Sequence, residues 1–402
     1  MRKLTVNQVE WNFSHILLPP IFLLRNMRVI LIVCFAAISF ACTNHSIKPT
    51  EQQEGLLARS SDAIANSNGM IAKSSNTQAS YPAYNNNFVD WSFVGENLVW
   101  VLNLQGKILF SDNQGETWST ITQPINFDCL TFINERQGWG VGGDGQVWHT
   151  QDAGQTWELL TKLNSMPGVW EYQGFSQIIF KDESHGWIID SFTVWRTING
   201  GYTWQETFMS STLRKPAEQP SEVFFYDSQN GWIVTTFERI FITKDGGQSW
   251  FVTVPAPGLS VGVFFVNARN GWIGGFDSTS ESSDSMLYST KDGGETWDKQ
   301  SSVSPQIVIL GVYFISENEG WILGSKSISQ DKSSYVILHT QDWGLSWQRL
   351  PNAPKGEYFE RIYFANSELG WLADSKRIYQ TKDGGVSWKT ALELPSSGDS
   401  SK

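Results

Sequence analysis

The sequence has few of the side chains that usually bring chemistry to a protein. Of its 3 cysteines, Cys34 and Cys42 lie near the N-terminus and only Cys129 lies in the main body, so an internal disulfide is not expected. Its 5 histidines show no metal-ligand spacing, and we expect neither a metal nor a cofactor. A basic excess is also missing, since residues 81–402 hold 22 Lys and Arg against 36 Asp and Glu. Nonspecific binding to nucleic acid or anionic lipid requires basic patches, so we expect neither.

The N-terminal apolar segment is too short to span a bilayer comfortably. Met27 and Arg28 precede thirteen largely apolar residues, 29–41, and Cys42 follows. A charged start before a short apolar segment predicts a secretory signal. Ala41 directly before Cys42 resembles a bacterial lipoprotein processing site, at which the cysteine is acylated, and cleavage without lipid is the alternative. We expect Met27 to be the true start, residues 1–42 to form an extension plus signal peptide, and Cys42 to anchor an exported protein to a bacterial membrane.

Residues 43–80 contain no aromatic side chain and are rich in Ser, Asn, Gln, Thr and Lys. Such a segment cannot bury enough apolar surface to fold alone, so it is predicted to be a flexible polar tether. The folded domain is predicted to run over residues 81–393, and residues 394–402 are predicted to form a disordered tail.

One pattern, Thr/Ser-x-Asp/Asn-x-Gly-x-Thr/Ser-Trp, occurs seven times in this domain, and we call each copy an octapeptide turn. The Asp or Asn residues are Asn113, Asp152, Asn199, Asp245, Asp292, Asp342 and Asp383. The copies end at the turn tryptophans Trp118, Trp157, Trp204, Trp250, Trp297, Trp347 and Trp388. The second-strand tryptophans lie upstream, and they are Trp100, Trp139, Trp187, Trp232, Trp272, Trp321 and Trp371. Steps of 39 to 50 residues between turn tryptophans indicate a repeat architecture, and periodic tryptophans indicate packing.

Each repeat has the same predicted plan of four short strands separated by polar turns. In the seventh repeat the strands are predicted over 358–364, 371–373, 377–380 and 388–392, with turns at 366–368 and 383–385. Helical periodicity is absent. The sequence therefore predicts an all-β fold, a seven-bladed β-propeller of four-stranded antiparallel blades.

The octapeptide turn is predicted to be structural. An Asp or Asn side chain accepts backbone hydrogen bonds and fixes a turn, and glycine supplies a positive φ. Asn113 and Asn199 replace Asp in two copies, which suits hydrogen bonding better than catalysis or calcium binding.

These octapeptides resemble the Asp-box, or bacterial neuraminidase repeat. Together with the Gly-Trp strand upstream, as in Gly138-Trp139 and Gly370-Trp371, residues 86–393 resemble the photosystem II stability/assembly factor family. The resemblance implies an exported seven-bladed propeller, lipid-anchored in cyanobacteria, that lacks catalytic activity and binds a protein partner during assembly or repair of a membrane complex. If the host is photosynthetic, the resemblance implies a location on the lumen side of the thylakoid, and otherwise on the periplasmic side or cell surface.

A carbohydrate-active protein is the alternative, either a glycan binder or a hydrolase similar to sialidases or xyloglucanases. Sialidases have six blades and an Arg triad, and xyloglucanases use two propellers. Asp90, Asp190 and Asp227 could supply an acid/base pair, although turn or surface positions also explain them. We expect no enzyme.

The strand plan assigns the turns to two faces. The first-to-second and third-to-fourth turns form what we call the turn face, and the second-to-third turns and blade connections form the loop face. The longer insertions fall on the loop face, where binding residues usually lie. Trp170, Tyr172, Arg214 and Lys215 are therefore the candidate contacts for a protein partner, and we expect a monomer.

Overall fold

The computed structural model describes residues 88–394, with gaps at 143, 164–173, 191–192, 210–219, 236–238, 254–258, 277–284, 301–302, 304–306, 330–331, 356–358 and 360. In these ranges the regular secondary structure is β-strand, and the strands form seven four-stranded sheets. Each sheet takes four consecutive strands in chain order, paired antiparallel with their neighbours. The seven-bladed β-propeller predicted from the repeats is confirmed.

The first four blades cover residues 88–253. Blade 1 has β1 (Phe88–Val94), β2 (Leu98–Asn103), β3 (Ile108–Ser111) and β4 (Ser119–Ile121). Blade 2 has β5 (Phe127–Phe132), β6 (Gly138–Gly142), β7 (Gln146–Thr150) and β8 (Glu158–Lys162). Blade 3 has β9 (Gln177–Phe180), β10 (Gly186–Ile189), β11 (Thr193–Thr197) and β12 (Gln205–Met209). Blade 4 has β13 (Pro220–Phe225), β14 (Gly231–Thr235), β15 (Ile240–Thr243) and β16 (Phe251–Thr253).

The last three blades cover residues 259–393. Blade 5 has β17 (Leu259–Phe265), β18 (Gly271–Phe276), β19 (Ser285–Thr290) and β20 (Asp298–Lys299). Blade 6 has β21 (Val308–Phe314), β22 (Gly320–Ser329), β23 (Lys332–Thr340) and β24 (Gln348–Arg349). Blade 7 has β25 (Arg361–Phe364), β26 (Gly370–Ala373), β27 (Arg377–Thr381) and β28 (Lys389–Glu393). At six of the seven junctions the first strands of successive blades contact one another, which makes them the innermost strands around the propeller axis.

The predicted strands of the seventh repeat agree with blade 7 to within one residue at every end except the start of the first strand. The first strand begins at Arg361 rather than at 358, and the fourth begins one residue after Trp388. Trp388 stays in the octapeptide turn because its indole Nε1 donates a 3.0 Å hydrogen bond to the Gly385 carbonyl.

Backbone hydrogen bonds fix the two kinds of turn on one face, as the strand plan predicts. In every blade the fourth residue of the octapeptide turn donates its N–H to a carbonyl in the first-to-second turn, over 2.7–3.2 Å. Examples are Gln114 to Asn97 in blade 1 and Gly384 to Glu368 in blade 7. The turn face is thus a ring of seven hydrogen-bonded turn pairs.

The core lies between blades, and the second-strand tryptophans occupy its centre. All seven are less than 2 % exposed. At six junctions the indole stacks on a phenylalanine of the next blade, with ring centroids 3.5–3.9 Å apart. The same indole donates its Nε1–H to the carbonyl of the fourth octapeptide residue of that blade, over 2.8–3.1 Å. The octapeptide turn therefore also accepts the hydrogen bond that latches one blade to the next.

In blades 2 to 7, the glycine before the second-strand tryptophan makes room for the phenylalanine of its own blade. A Cβ atom at Gly231 would lie 2.3 Å from the Phe225 ring, and five equivalent glycines show separations of 2.4–2.6 Å. The phenylalanine can therefore lie flat against its own second strand and face the preceding blade. Blade 1 has Val99 at this position, opposite Phe93.

Blade 7 and blade 1 close the ring without exchanging a strand, so side chains supply the closing contacts. Phe93 stacks on Tyr363 at 4.1 Å and lies tilted at 4.9 Å from Trp371. Trp371 Nε1 is buried and has no hydrogen-bond partner. The Gln380 amide instead donates to the carbonyl of Gln114, the residue that a regular junction would bond to the tryptophan. Three side-chain pairs also cross this junction: Arg361–Asp90 (2.5 Å), Lys382–Glu116 (2.7 Å) and Asn366–Glu96 (2.9 Å).

Candidate functional site

The residues predicted from sequence for partner binding cannot be located in the fold. Trp170, Tyr172, Arg214 and Lys215 lie outside the described residues, as does the predicted lipidation site Cys42. They stay predictions. The described residues do locate the octapeptide turns, the candidate carboxylates and the innermost strands.

Every octapeptide turn uses its Asp or Asn side chain within the turn. The first hydroxyl donates to Oδ1 over 2.7–2.9 Å, and the backbone N–H of the seventh residue donates to the same oxygen over 2.8–3.0 Å. In the five Asp copies, the seventh hydroxyl donates to Oδ2 over 2.5–2.6 Å. In the Asn copies the amide nitrogen donates to that hydroxyl. The fifth residue is always glycine, with φ between 80° and 97°.

These hydrogen bonds hold the turn carboxylates ionised. Desolvation raises the pKa of Asp245, but hydrogen bonds from Ser249, Thr243 and the Gln248 backbone outweigh it and lower that pKa to about 2. The pKa of Asp292 is lowered to about 2 by the same balance. A carboxylate that stays ionised and accepts several hydrogen bonds is poorly suited to transferring protons near neutral pH.

The three carboxylates considered for acid/base chemistry lie apart and are engaged elsewhere. Asp90, on β1, is 6 % exposed, pairs with Arg361 and accepts the backbone N–H of Leu130 over 3.1 Å. Asp190 caps the turn between β10 and β11, and Asp227 caps the turn between β13 and β14. Those two turns belong to opposite faces, so the structure does not bring these residues together. Within the described ranges, no group of three or more His, Cys, Asp or Glu residues could hold a metal ion.

The innermost strands meet at the turn face in two layers that we call the axial mouth. The rim layer is the residue that opens each first-to-second turn: Val94, Ile133, Lys181, Tyr226, Val266, Ile315 and Ala365. The arc layer lies two residues earlier, opposite the second-strand tryptophan: Ser92, Thr131, Ile179, Phe224, Phe264, Tyr313 and Tyr363. Alternate residues of a strand lie on the same side of the sheet, so the rim and arc layers form one continuous surface. Of these fourteen side chains, only Lys181 carries a charge.

Aromatic rings occupy four consecutive positions of the arc layer, in blades 4 to 7. The centroids of Phe224 and Phe264 are 5.2 Å apart, those of Phe264 and Tyr313 4.6 Å, and those of Tyr313 and Tyr363 5.2 Å. All four side chains are half-buried. Burial raises the pKa of Tyr313 well above its ordinary value, so its phenol stays neutral. Blades 1 to 3 have Ser92, Thr131 and Ile179 in this layer, so the aromatic surface covers one side of the mouth.

Lys181 stands on the rim next to this aromatic surface. Its Nζ lies 5.6 Å from the centroid of the Phe224 ring, within cation–π range. The side chain is exposed, yet desolvation by the surrounding protein lowers the pKa of its amine to about 8, with Asp227 opposing that shift. Across the described residues, no hydrogen bond or ion pair joins its ammonium to another side chain. Asp227 is instead committed to the backbone of Gln229 and Asn230.

A third layer, two residues further from the turn face, is more polar. It consists of Asp90, Cys129, Gln177, Glu222, Gly262, Gly311 and Arg361. The mouth is therefore apolar at the turn face and polar beneath it. Sequence reasoning missed this site, because its residues look like ordinary strand residues until the seven first strands are aligned on their tryptophans.

Comparison with known proteins shows which family and which relative this sequence resembles. The family model described as photosynthesis system II assembly factor YCF48 matches residues 86–175 and 251–399. The photosystem II assembly lipoprotein Ycf48 of Synechococcus sp. (strain CC9902) is 28% identical over 127 residues, or 30% of this chain. That match spans 35% of the relative's length, about a third. In the described residues, the structure contains no helix that is long and apolar enough to cross a membrane.

Two solved structures share the fold at low sequence identity. YCF48 from Cyanidioschyzon merolae has a TM-score of 0.58 and 18% identity, covering 74% of this chain and 96% of that one. The structure of YCF48 bound to D1 peptide has a TM-score of 0.57 and 18% identity, covering 74% of this chain and 91% of that one. The family model matches more than half of the sequence, and the chain belongs to the photosystem II assembly factor YCF48 family.

Proposed function

We propose that this protein is a non-catalytic, extracytoplasmic propeller that binds a protein partner and assists assembly or repair of a membrane complex. Within a family of assembly factors, one observation carries this proposal. The repeated polar side chains are fully used in the propeller's own hydrogen bonds, which favours a scaffold over an enzyme. The lipid anchor at Cys42, the tether over 43–80 and a monomeric state belong to the same proposal.

The peptide bound in one of the similar structures supports a peptide-like partner. That structure is of YCF48 bound to D1 peptide, and the binding is a property of that protein. For this chain we propose a segment of a membrane-complex subunit as the partner. We also propose that Trp170, Tyr172, Arg214 and Lys215 on the loop face contact it, because aromatic and Arg side chains dominate protein interfaces.

Cross-linking in membranes tests the partner. The full chain, tagged at its C-terminus, would be expressed in its host, cross-linked, purified and analysed by mass spectrometry. We expect subunits of one membrane complex to be captured by the wild type and lost from W170A/Y172A and R214A/K215A. Leu104→Ala is the matched control, since Leu104 is 60% exposed in the β2–β3 turn on the same face.

Two results would overturn parts of this proposal. Unchanged capture by both double variants, with unchanged melting temperature, would remove the loop-face contacts. Release of reducing sugar from xyloglucan, or of sialic acid from a sialoside, by the purified chain would replace the scaffold with the glycosidase alternative. For the anchor, we expect Cys42→Ser to move the protein from the membrane fraction to the soluble fraction.

A further inference from the structure

The axial mouth combines an aromatic surface with the Lys181 ammonium, which has no hydrogen bond or ion pair to another side chain among the described residues, and no residue of the repeat pattern accounts for either. The repeat requires a tryptophan, a phenylalanine and glycines at fixed positions, and it leaves the rim and arc layers free to vary. Aromatic residues fill the arc layer in blades 4 to 7 only, and a charged residue enters the rim in blade 3 only. In these two layers, the charged residue and the aromatic surface adjoin where blades 3 and 4 meet.

The same sector of the turn face exposes further apolar side chains. Ile198 and Tyr202, in the octapeptide turn of blade 3, are 58% and 57% exposed. The corresponding positions of blade 1 hold Asp112 and Glu116. Tyr226, on the rim in blade 4, is 41% exposed. An apolar surface in the same sector as an ammonium group that has no ion-pair partner among the described residues is complementary to an apolar group that carries a negative charge nearby.

We propose that the axial mouth binds a segment of the protein partner that inserts an aromatic or aliphatic side chain against Phe224 and Phe264 and pairs an adjacent carboxylate with Lys181. The inference rests on the proposed function for the existence of a protein partner. It places a contact on the turn face, opposite the loop-face residues predicted from sequence. The side chain enters from the turn face, because the layer beneath the mouth holds the Asp90–Arg361 ion pair and the Glu222 side chain.

Small probes test the chemistry without knowledge of the partner. N-acetyl-phenylalanine, its primary amide and N-acetylglycine would be titrated into the full chain, with saturation-transfer NMR as the readout. We expect N-acetyl-phenylalanine to bind about tenfold more tightly than the amide, because the carboxylate forms a charge-assisted hydrogen bond with Lys181 that is stronger than the bond formed by a neutral amide. N-acetylglycine, which lacks the ring, should bind more weakly than either.

Variants then assign the site. Lys181→Met should bring the affinity for the acid down to that for the amide, while Phe224→Leu should weaken both ligands. Lys107→Met is the matched control, because Lys107 is an exposed lysine in the β2–β3 turn, and it should leave both affinities unchanged. Melting temperatures verify that each variant is folded, and Lys181→Met alters an exposed side chain.

Three outcomes would overturn the proposal: no binding of any probe, equal affinity for acid and amide, or unchanged discrimination in Lys181→Met. Failure of this proposal and failure of the proposed function can be distinguished. Probe binding without capture of a membrane-complex subunit would keep the site and remove the assembly role. Capture that is unaffected by Lys181→Met, together with no discrimination between probes, would keep the role and remove the site.

Discussion

The six regular junctions and the closing junction use equivalent residues in different ways. At the junction of blades 4 and 5, Trp232 stacks on Phe265 at 3.5 Å and donates to the Gly293 carbonyl over 2.8 Å. At the closing junction, Trp371 lies 4.9 Å from Phe93 with the rings tilted by 43°, and its Nε1 has no partner. The parallel ring stack and the hydrogen bond from the tryptophan Nε1 are therefore both absent at the closing junction.

One side chain accounts for much of this difference. Val99 occupies the position that is glycine in the other six blades, where any Cβ would meet the phenylalanine ring. Phe93 therefore cannot lie flat on its own second strand, and it stacks on Tyr363 instead. Because each blade is made of four consecutive strands, the ring closes through side-chain contacts between blade 7 and blade 1. These contacts are less regular than those at the other six junctions. We infer that the propeller opens first between blades 7 and 1.

The largest effect is expected from removing a regular stack. Trp232→Ala deletes a side chain that is 1% exposed, and it should lower the free energy of unfolding by about 3–5 kcal/mol, measured by denaturant titration. Trp371→Ala should cost less, because its stack is tilted and it makes no hydrogen bond. Val252→Ala, at a site 51% exposed, is the control and should change little. Equal costs for the two tryptophans would contradict the comparison.

A more conservative pair of substitutions isolates the hydrogen bond from the tryptophan Nε1 to the next blade. Trp232→Phe keeps an aromatic ring but leaves the buried Gly293 carbonyl without its donor, which should cost about 1–3 kcal/mol beyond the lost ring area. Trp371→Phe removes a buried N–H that has no partner, so this extra cost should be absent. The difference between the two variants in the lost free energy of unfolding, from denaturant titration, measures the contribution of this hydrogen bond. A larger loss for Trp371→Phe would show that its indole has a partner in solution.

The regular part of the molecule could be predicted from its sequence, and the closing junction could not. Strand positions follow from the octapeptide turn and the Gly-Trp pair, because each requires a particular backbone geometry that recurs. Val99 and Gln380 appear as ordinary strand residues, and their effect depends on which residues the ring brings opposite them. The axial mouth could not be predicted for the same reason. Lys181 and Phe224 lie in different blades, and they meet only when the first strands surround the axis.

Acid should weaken the regular octapeptide turns by a smaller amount. The folded pKa of Asp245 is about 2, below its unfolded value near 3.8, so its contribution is present above about pH 4 and is lost as pH falls toward 2. Asp245→Asn copies the natural Asn199 turn and should reduce this loss, with a change at pH 7 below about 1 kcal/mol. The measurement is denaturant titration at pH 7 and pH 3. An unchanged difference between the two pH values in Asp245→Asn would argue against the assigned hydrogen bonds.

The smallest effect is expected from the ion pair across the closing junction. Lys382 and Glu116 approach to 2.7 Å with about half of each side chain exposed, and Lys244–Glu295 at 2.5 Å is the matched pair across a regular junction. The hydrogen bond from Lys382 lowers the pKa of Glu116, but exposed pairs are screened and contribute little. Double-mutant cycles to Gln should give equal, small couplings that vanish in about 1 M salt, where the Debye length is about 3 Å. A larger, salt-resistant coupling for Lys382–Glu116 would mean that charge, rather than the Phe93–Tyr363 stack and the Gln380 hydrogen bond, holds the ring closed.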